Sequence, residues 1–197
     1  MSASVRTAIP LPIDLADRTP EIVTFDGLAD PREHVAIVFR PLPAVPLVRI
    51  HSECLTGDLL GSLRCDCGLQ YREAITQLDR HGGVLLYMRQ EGRGIGLYNK
   101  LDAYRLQDEG LDTFAANLRL GRGADERSYD DCAALLTALG VRSCRLLTNN
   151  PDKVAGLERS GIQVAGAVPT GYFRQRTNAA YLDAKETAGH RFQRAAS

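Results

Sequence analysis

From residue 47 to residue 168, short apolar runs alternate with longer segments whose apolar residues return every three or four positions. The runs are LVRIHSE (47–53), VLLYMR (84–89), CRLLTN (144–149) and IQVAGAV (162–168), each of strand length. VLLYMR is apolar almost throughout, which suits a buried position in a sheet. Between the runs, Tyr71, Ile75 and Leu78 recur at helical spacing over 68–80, and Gly82 and Gly83 end that helix. A second helix is expected over 98–109, stopped by Gly110, and a short one near 114–118. Ser128 and Asp131 form a candidate capping box for a helix that ends at Gly140. Asn150 caps a further helix whose first residue is Pro151, and Gly161 closes it.

Upstream, EIVTF (21–25) and HVAIVFR (34–40) are expected to be strands joined by a turn at 27–31, with PLPAVP (41–46) as an extended link. Strands alternating with helices predict an α/β fold, and the hairpin-linked early strands make the sheet mixed, with helices packed on its faces in a single domain. Residues 1–20 hold three prolines and are expected to be a loosely ordered arm; residues 21–190 form the domain, and 191–197 a flexible C-terminal tail. No element is assigned beyond Thr170.

Composition narrows the function. The chain has 197 residues, 44% of them hydrophobic, enough for a sizeable core. Its 24 basic side chains balance 24 acidic ones, which argues against a general nucleic-acid binder. No apolar run nears the roughly 20 residues of a membrane span, and the first residues lack the apolar core of a secretory signal. A cytoplasmic protein is expected, whose five cysteines are thiols or metal ligands rather than a disulfide framework.

The candidate chemistry is concentrated in loops after strands. In ECLTGDLLGSLRCDCG (53–68), Cys54, Cys65 and Cys67 fall together, and Cys65 and Cys67 share a face if the segment is extended. Three thiolates suit Zn²⁺, which takes four tetrahedral ligands. Two readings stay open: a catalytic site with water in the fourth position, or a closed structural site with a distant fourth ligand. His51 is the nearest rival ligand, but on a strand it faces away from Cys54. Cys132 and Cys144 fall on core elements.

Gly92, Gly94 and Gly96 follow a strand and precede a helix, with Arg89, Gln90, Glu91 and Arg93 around them. This has the placement of a phosphate loop, although it matches no standard nucleotide motif and could equally be a solvated turn. TNNPDK (148–153) opens a helix whose N-terminus can receive an anion, with Thr148 and Lys153 beside it; ordinary capping explains it as well. Asp125 and Arg127 are either a surface ion pair or a proton acceptor beside a phosphate-binding group. Arg49, Arg64, Arg89, Arg93, Arg127 and Lys153, all near loops, suit a small polyanion such as a nucleoside triphosphate.

RIHSECLTGDLLGSLRCDCG (49–68), YMRQEGRGIGLYNK (87–100), AYRLQD (103–108), ADER (124–127) and RLLTNNPDK (145–153) resemble GTP cyclohydrolase II, in order and approximate spacing, over about residues 20–190. The resemblance implies an enzyme that opens the imidazole ring of GTP, releasing formate and pyrophosphate. The product would be 2,5-diamino-6-(5-phospho-ribosylamino)-pyrimidin-4(3H)-one, at the start of riboflavin biosynthesis. It implies a catalytic zinc on Cys54, Cys65 and Cys67, Mg²⁺ on the phosphates, and a homodimer. Contacts to GTP would come from Arg49, Ile50, His51, Ser52, Glu53, Gln70, Glu91, Gly92, Arg93, Thr113, Thr148 and Lys153. Asp125 would be the proton acceptor and Tyr104 would serve the ring-opening step. Arg127 would be the nucleophile toward the α-phosphate or, since a guanidinium stays protonated, an electrostatic clamp on it.

Asp102, Arg122 and Ser128 depart from the family pattern and leave open a specialised-metabolite pathway. A paralogue that stops at a formamidopyrimidine, and a nucleotide-binding regulatory domain with structural zinc, are the alternatives. No fused dihydroxybutanone phosphate synthase half is seen, so a stand-alone form is expected.

Overall fold

The computed structural model of the chain describes residues 3–123 and 125–192. The strands are β1 (Ser4–Pro10), β2 (Glu21–Asp26), β3 (Val35–Phe39), β4 (Leu47–Ser52), β5 (Gly83–Met88), β6 (Ser143–Leu147) and β7 (Gln163–Val168). The helices are α1 (Leu55–Asp58), α2 (Cys67–His81), α3 (Leu97–Asp108), α4 (Thr113–Arg119), α5 (Asp130–Ala138), α6 (Pro151–Arg159) and α7 (Ala179–Thr187). The strands form one sheet in the order β1-β2-β3-β5-β4-β6-β7. Neighbours from β1 through β3 to β5 run antiparallel, while β5, β4, β6 and β7 are mutually parallel. The expected mixed α/β sheet is therefore present.

Alternation along the central strands sorts side chains to two cores. Val48 and Ile50 of β4, with Val84, Leu86 and Met88 of β5, pack under Leu135 and Leu136 of α5 and Leu157 of α6. On the other face Leu47, Leu85 and Leu147 meet Ala74, Ile75 and Leu78 of α2. Arg49 and His51 alternate with Ile50 and so lie on the α2 face of the sheet, both buried. Because β4, β5 and β6 are parallel, their carboxyl ends place Ser52, Arg89 and Thr148 along one edge, where open α/β sheets receive ligands.

Three expectations need correcting. Of the expected loose arm 1–20, residues 1 and 2 lie outside the described residues and the rest is ordered: β1 pairs with β2 from Ser4↔Asp26 to Pro10↔Glu21. Ile13 and Leu15 then pack on the α2-side core, and Asp79 accepts hydrogen bonds from the backbone N–H groups of Asp17 and Arg18. All seven residues of β1 are exposed, so this edge strand leaves no burial pattern for a sequence reading to find. The capping box at Ser128 does not form. Asp131 instead accepts from the N–H groups of Ala29 and Asp30 in the β2–β3 turn, and Ser128 Oγ accepts from the N–H of Asp130. The unassigned stretch after Thr170 contains a 3₁₀ turn at Arg176–Asn178, leading into α7. The short helix near 114–118, by contrast, is present as α4.

Candidate active site

Cys54 leaves β4 and caps α1, its sulfur accepting the Gly57 N–H at 3.3 Å. Cys67 is the first residue of α2, and Cys65 precedes it by two. The three sulfurs lie within 4.8 Å of one another, and Cys54 and Cys65 are 3.7 Å apart. Two glycines permit this convergence. A Cβ on Gly57 would stand 2.9 Å from Cys65 Sγ and 3.1 Å from Cys54 Sγ, and one on Gly68 would stand 2.3 Å from the Gly57 oxygen.

The thiols share charge unequally. Hydrogen bonds from Cys65 and then Cys67 hold Cys54 far below the usual thiol range. The Cys54 contact and burial push Cys65 up to about 11, against the Cys67 contact, and the contacts with Cys54 and Cys65 push Cys67 well up. Such a group cannot ionise fully by itself, and a dication would supply the missing positive charge. The all-thiolate donor set and the close, glycine-made cradle fit zinc. Among the described residues no fourth His, Cys, Asp or Glu joins this cluster.

The supports around the thiols are polar and buried. Asp58 accepts from the Cys54 N–H at 3.0 Å and from Tyr87 Oη at 3.0 Å, and contacts His51 Nε2 at 3.0 Å. Burial lowers the His51 pKa, but it is the engagement of Nε2 by Asp58, away from the three sulfurs, that places His51 behind Cys54 rather than among the ligands. Asp66, fully buried between two of the cysteines, accepts from Lys185 Nζ at 2.6 Å and from Gln70 Nε2 at 2.7 Å. Gln70 Oε1 in turn accepts from Arg49 Nη2 at 2.8 Å. One hydrogen-bonded chain thus ties the cysteine turn to β4 and to α7.

A cavity of about 780 Å³ opens on the cysteines and includes Glu91, Arg93, Lys100, Tyr104 and Arg127 in its walls. Tyr104 Oη is 3.2 Å from Thr56 Oγ1, and the Arg64 guanidinium lies 4.5 Å from the Tyr104 ring centre. The glycine loop builds one wall. Gly92, Arg93 and Gly94 all have positive φ, so Arg93 adopts a conformation that side chains usually avoid. Glu91 locks the turn: Oε1 accepts from the Gly92 N–H and from Lys100 Nζ, both at 2.8 Å, and Oε2 accepts from the Leu55 N–H at 2.7 Å.

The 125–127 segment docks on this loop, with the Glu126 N–H donating to the Arg93 oxygen at 2.9 Å. A Cβ on Gly94 would lie 2.9 Å from the Glu126 carbonyl carbon, so only glycine admits the contact. Arg127 Nε donates to Asp125 at 2.8 Å, and Nη2 adds a second contact. Burial opposes the Arg127 charge, but the Asp125 carboxylate more than offsets it and raises its pKa above the usual range. Arg127 is largely buried and lines the cavity, whereas its partner Asp125 is exposed and is not among the cavity walls.

A second cavity of about 470 Å³ adjoins the first, sharing Ser52, Cys67, Arg127, Tyr181, Lys185 and His190 with it. It adds Arg49, Thr148 and Lys153 and is dominated by polar groups. Lys153 Nζ donates to the Ile50 oxygen at 2.8 Å, and Asn150 caps α6 through its contact with the Asp152 N–H. Burial first, and Arg49 next, hold Lys153 well below its ordinary pKa. Among the described residues no Asp or Glu lines this second cavity, which suits an anion pocket.

Most of the residues expected from the sequence meet here. Ile50 contributes only its carbonyl, its side chain being in the core. Gln70 serves mainly as a brace, and Glu53 pairs with Arg89 at 3.0 Å. The side chain of Thr113 lies outside the described residues. The sequence reading did not single out Lys100 or His190. Nor did it assign a site role to Tyr181, whose Oη is 3.7 Å from Cys67 Sγ, or to Lys185. Tyr181 and Lys185 are four apart on α7, a spacing that puts both on one face. The pKa of His190, which lies between the cavities, is pushed down to about 3 by burial and by Lys185.

A separate group, Asp30, His34 and Asp131, has its lone pairs engaged. His34 Nδ1 accepts from the Arg89 N–H, which leaves the proton on Nε2 facing Asp30 at 3.2 Å. Asp131 accepts the two N–H groups of the β2–β3 turn, so the cluster braces that turn.

Fold and site together define an α/β protein with a three-thiol cluster, suited to a metal, beside a cation-lined anion pocket. The sequence model of GTP cyclohydrolase II matches residues 6–169. A protein named GTP cyclohydrolase-2 from Psychromonas ingrahamii is 49% identical over 191 residues, covering 94% of this chain and 96% of that protein. One of the same name from Vibrio cholerae is 51% identical over 172 residues, covering 86% and 87%. A third, from Aliivibrio fischeri, is 46% identical over 193 residues, covering 96% and 97%. The chain belongs to the GTP cyclohydrolase II family and is an enzyme of that kind. No helix among the described residues is long and apolar enough to cross a membrane.

Proposed function

We propose that this enzyme opens the imidazole ring of GTP at C8, releases formate and pyrophosphate, and yields 2,5-diamino-6-(5-phospho-ribosylamino)-pyrimidin-4(3H)-one for riboflavin synthesis in the cytoplasm. The observation that carries the reading is the pair of joined cavities. One holds three convergent thiols, the other buried cations, and Arg127 stands in both. A purine at the thiols and a triphosphate at Arg49, Thr148 and Lys153 fit this division, with Mg²⁺ arriving on the phosphates.

Cys54, Cys65 and Cys67 would hold the zinc. When bound, the ion supplies Lewis acidity that lowers the pKa of water at C8. Tyr104, which contacts Thr56, would donate a proton to the ring nitrogen as the C8–N9 bond breaks. Asp125 accepts a proton from the incoming water. Each of the two hydrolyses at C8 consumes one water, the first giving a formamide and the second formate.

At the phosphates Arg127 acts as a clamp on the α-phosphate, because its pairing with Asp125 keeps it charged and poorly nucleophilic. A further water then splits the α–β linkage. Glu91, Gly92 and Arg93 shape the wall against the nucleotide. We take the active species to be a homodimer.

The test is to incubate purified protein with GTP, Zn²⁺ and Mg²⁺ and to quantify formate, pyrophosphate and the pyrimidine together. Equal amounts of all three are expected. Formamidopyrimidine accumulating without formate would mark an arrested paralogue, and no turnover with one zinc bound would leave a binding domain.

A further inference from the structure

Lys100 lies on α3, outside the cysteine loops, yet reaches their centre. Its Nζ donates to Cys54 Sγ at 3.1 Å and to Glu91 Oε1 at 2.8 Å. Gly92 leaves room for its stem, since a Cβ added there would stand 3.1 Å from Lys100 Cβ. The ammonium is thus shared between the cysteine loop and the glycine loop. Cys54 is also the sulfur with the most donors, since the Gly57 N–H and Thr56 Oγ1 lie at 3.3 and 3.6 Å.

Three thiolates around a dication leave one negative charge in excess, which weakens the centre as a Lewis acid. An ammonium donating to one thiolate draws electron density from that sulfur and offsets part of the excess, its charge being shared with Glu91. We propose that Lys100 is a positioning residue that compensates the charge of the three-thiolate centre through Cys54, and through Glu91 couples that centre to the glycine loop. The inference rests on the metal reading of the cysteines given above.

Cobalt substitution tests it independently of turnover, because the sulfur-to-cobalt charge-transfer band reports charge on the thiolates. Lys100→Met, with one cobalt bound, is expected to move the band to longer wavelength, and Lys100→Arg to return it toward the parent position. Formate release per bound metal should fall about 10–100-fold in Lys100→Met, the usual range for a lost partner of a metal ligand, and recover in part with Arg. An unmoved band in cobalt-loaded Lys100→Met overturns the assignment. If Lys100→Met keeps its circular dichroism but takes up no cobalt, uptake restored in Lys100→Arg supports the assignment, and no restoration overturns it. A parent chain that binds no cobalt overturns the metal reading itself.

Discussion

Replacing Asp66 by Ala removes a fully buried carboxylate from between two of the cysteines. The Lys185 ammonium, only 10% exposed, loses its partner at 2.6 Å, and the Gln70 amide loses its acceptor at 2.7 Å. Breaking a buried pair on one side costs about 3–5 kcal/mol, because the remaining charge is stranded. The stranded amide adds about 1–3 kcal/mol where no water replaces the acceptor. With water from the adjoining cavity replacing the lost acceptor, the first term alone applies, and a loss of roughly 3–5 kcal/mol is expected. Urea unfolding of the metal-free protein measures this without a contribution from bound zinc. Lys185→Met added to Asp66→Ala removes the stranded charge and should recover at least about 1 kcal/mol, a coupling well above the ~0.5 kcal/mol of independent sites. In the loaded state, zinc affinity should fall about 10–100-fold in Asp66→Ala, since the turn carrying Cys65 and Cys67 loses its anchor to α7. A loss below about 1 kcal/mol, or additive single and double variants, would refute the view that this pair fixes the cysteine turn.

Other substitutions test neighbouring parts. Gly57→Ala puts a methyl 2.9 Å from Cys65 Sγ and 3.1 Å from Cys54 Sγ, so zinc per chain should drop in metal analysis, although Ala is the better helix former by about 1 kcal/mol; full zinc occupancy would show the cradle to be slack. Arg127→Ala should slow pyrophosphate release by about 10²–10³-fold, the usual effect of losing a charge-stabilising donor, whereas a covalent adduct isolated at Arg127 would exclude the clamp. Lys153 has its folded-state pKa held below its unfolded value, so the unfolded chain binds the extra proton and stability falls as pH drops through that window. Lys153→Met should therefore flatten the rise of apo-protein stability with pH. Within that window GTP binding to the parent should take up a proton, seen by calorimetry in buffers of different ionisation enthalpy; no uptake anywhere in the window would mean the lysine stays charged in the folded chain.

Why some of this was legible in the sequence and some was not follows from the range of the interactions. Cys54, Cys65 and Cys67 converge through a local loop whose glycines are visible in the sequence, and Asn150–Pro151 caps its own helix. The strands that form the core show themselves by burial, as Val84 to Leu86 do. β1 is exposed at every position and joins the sheet through its pairing with β2, so hydrophobic patterning says nothing of it. Asp131 matched a local capping rule but is taken by the N–H groups of Ala29 and Asp30, about a hundred positions away in the chain. Lys185 reads as one more charge in a polar tail until α7 brings it to Asp66 across 119 positions. Lys100 likewise acquires its meaning only when α3 lies beside the cysteine loop.

The measurement that bears most directly on the proposed reaction is the fate of C8. GTP labelled at that carbon, incubated with the zinc-loaded protein, is predicted to release its label as formate in step with pyrophosphate, and to stop doing so in Cys65→Ser. Label that stays on the nucleotide in a folded chain with one zinc bound would contradict the account.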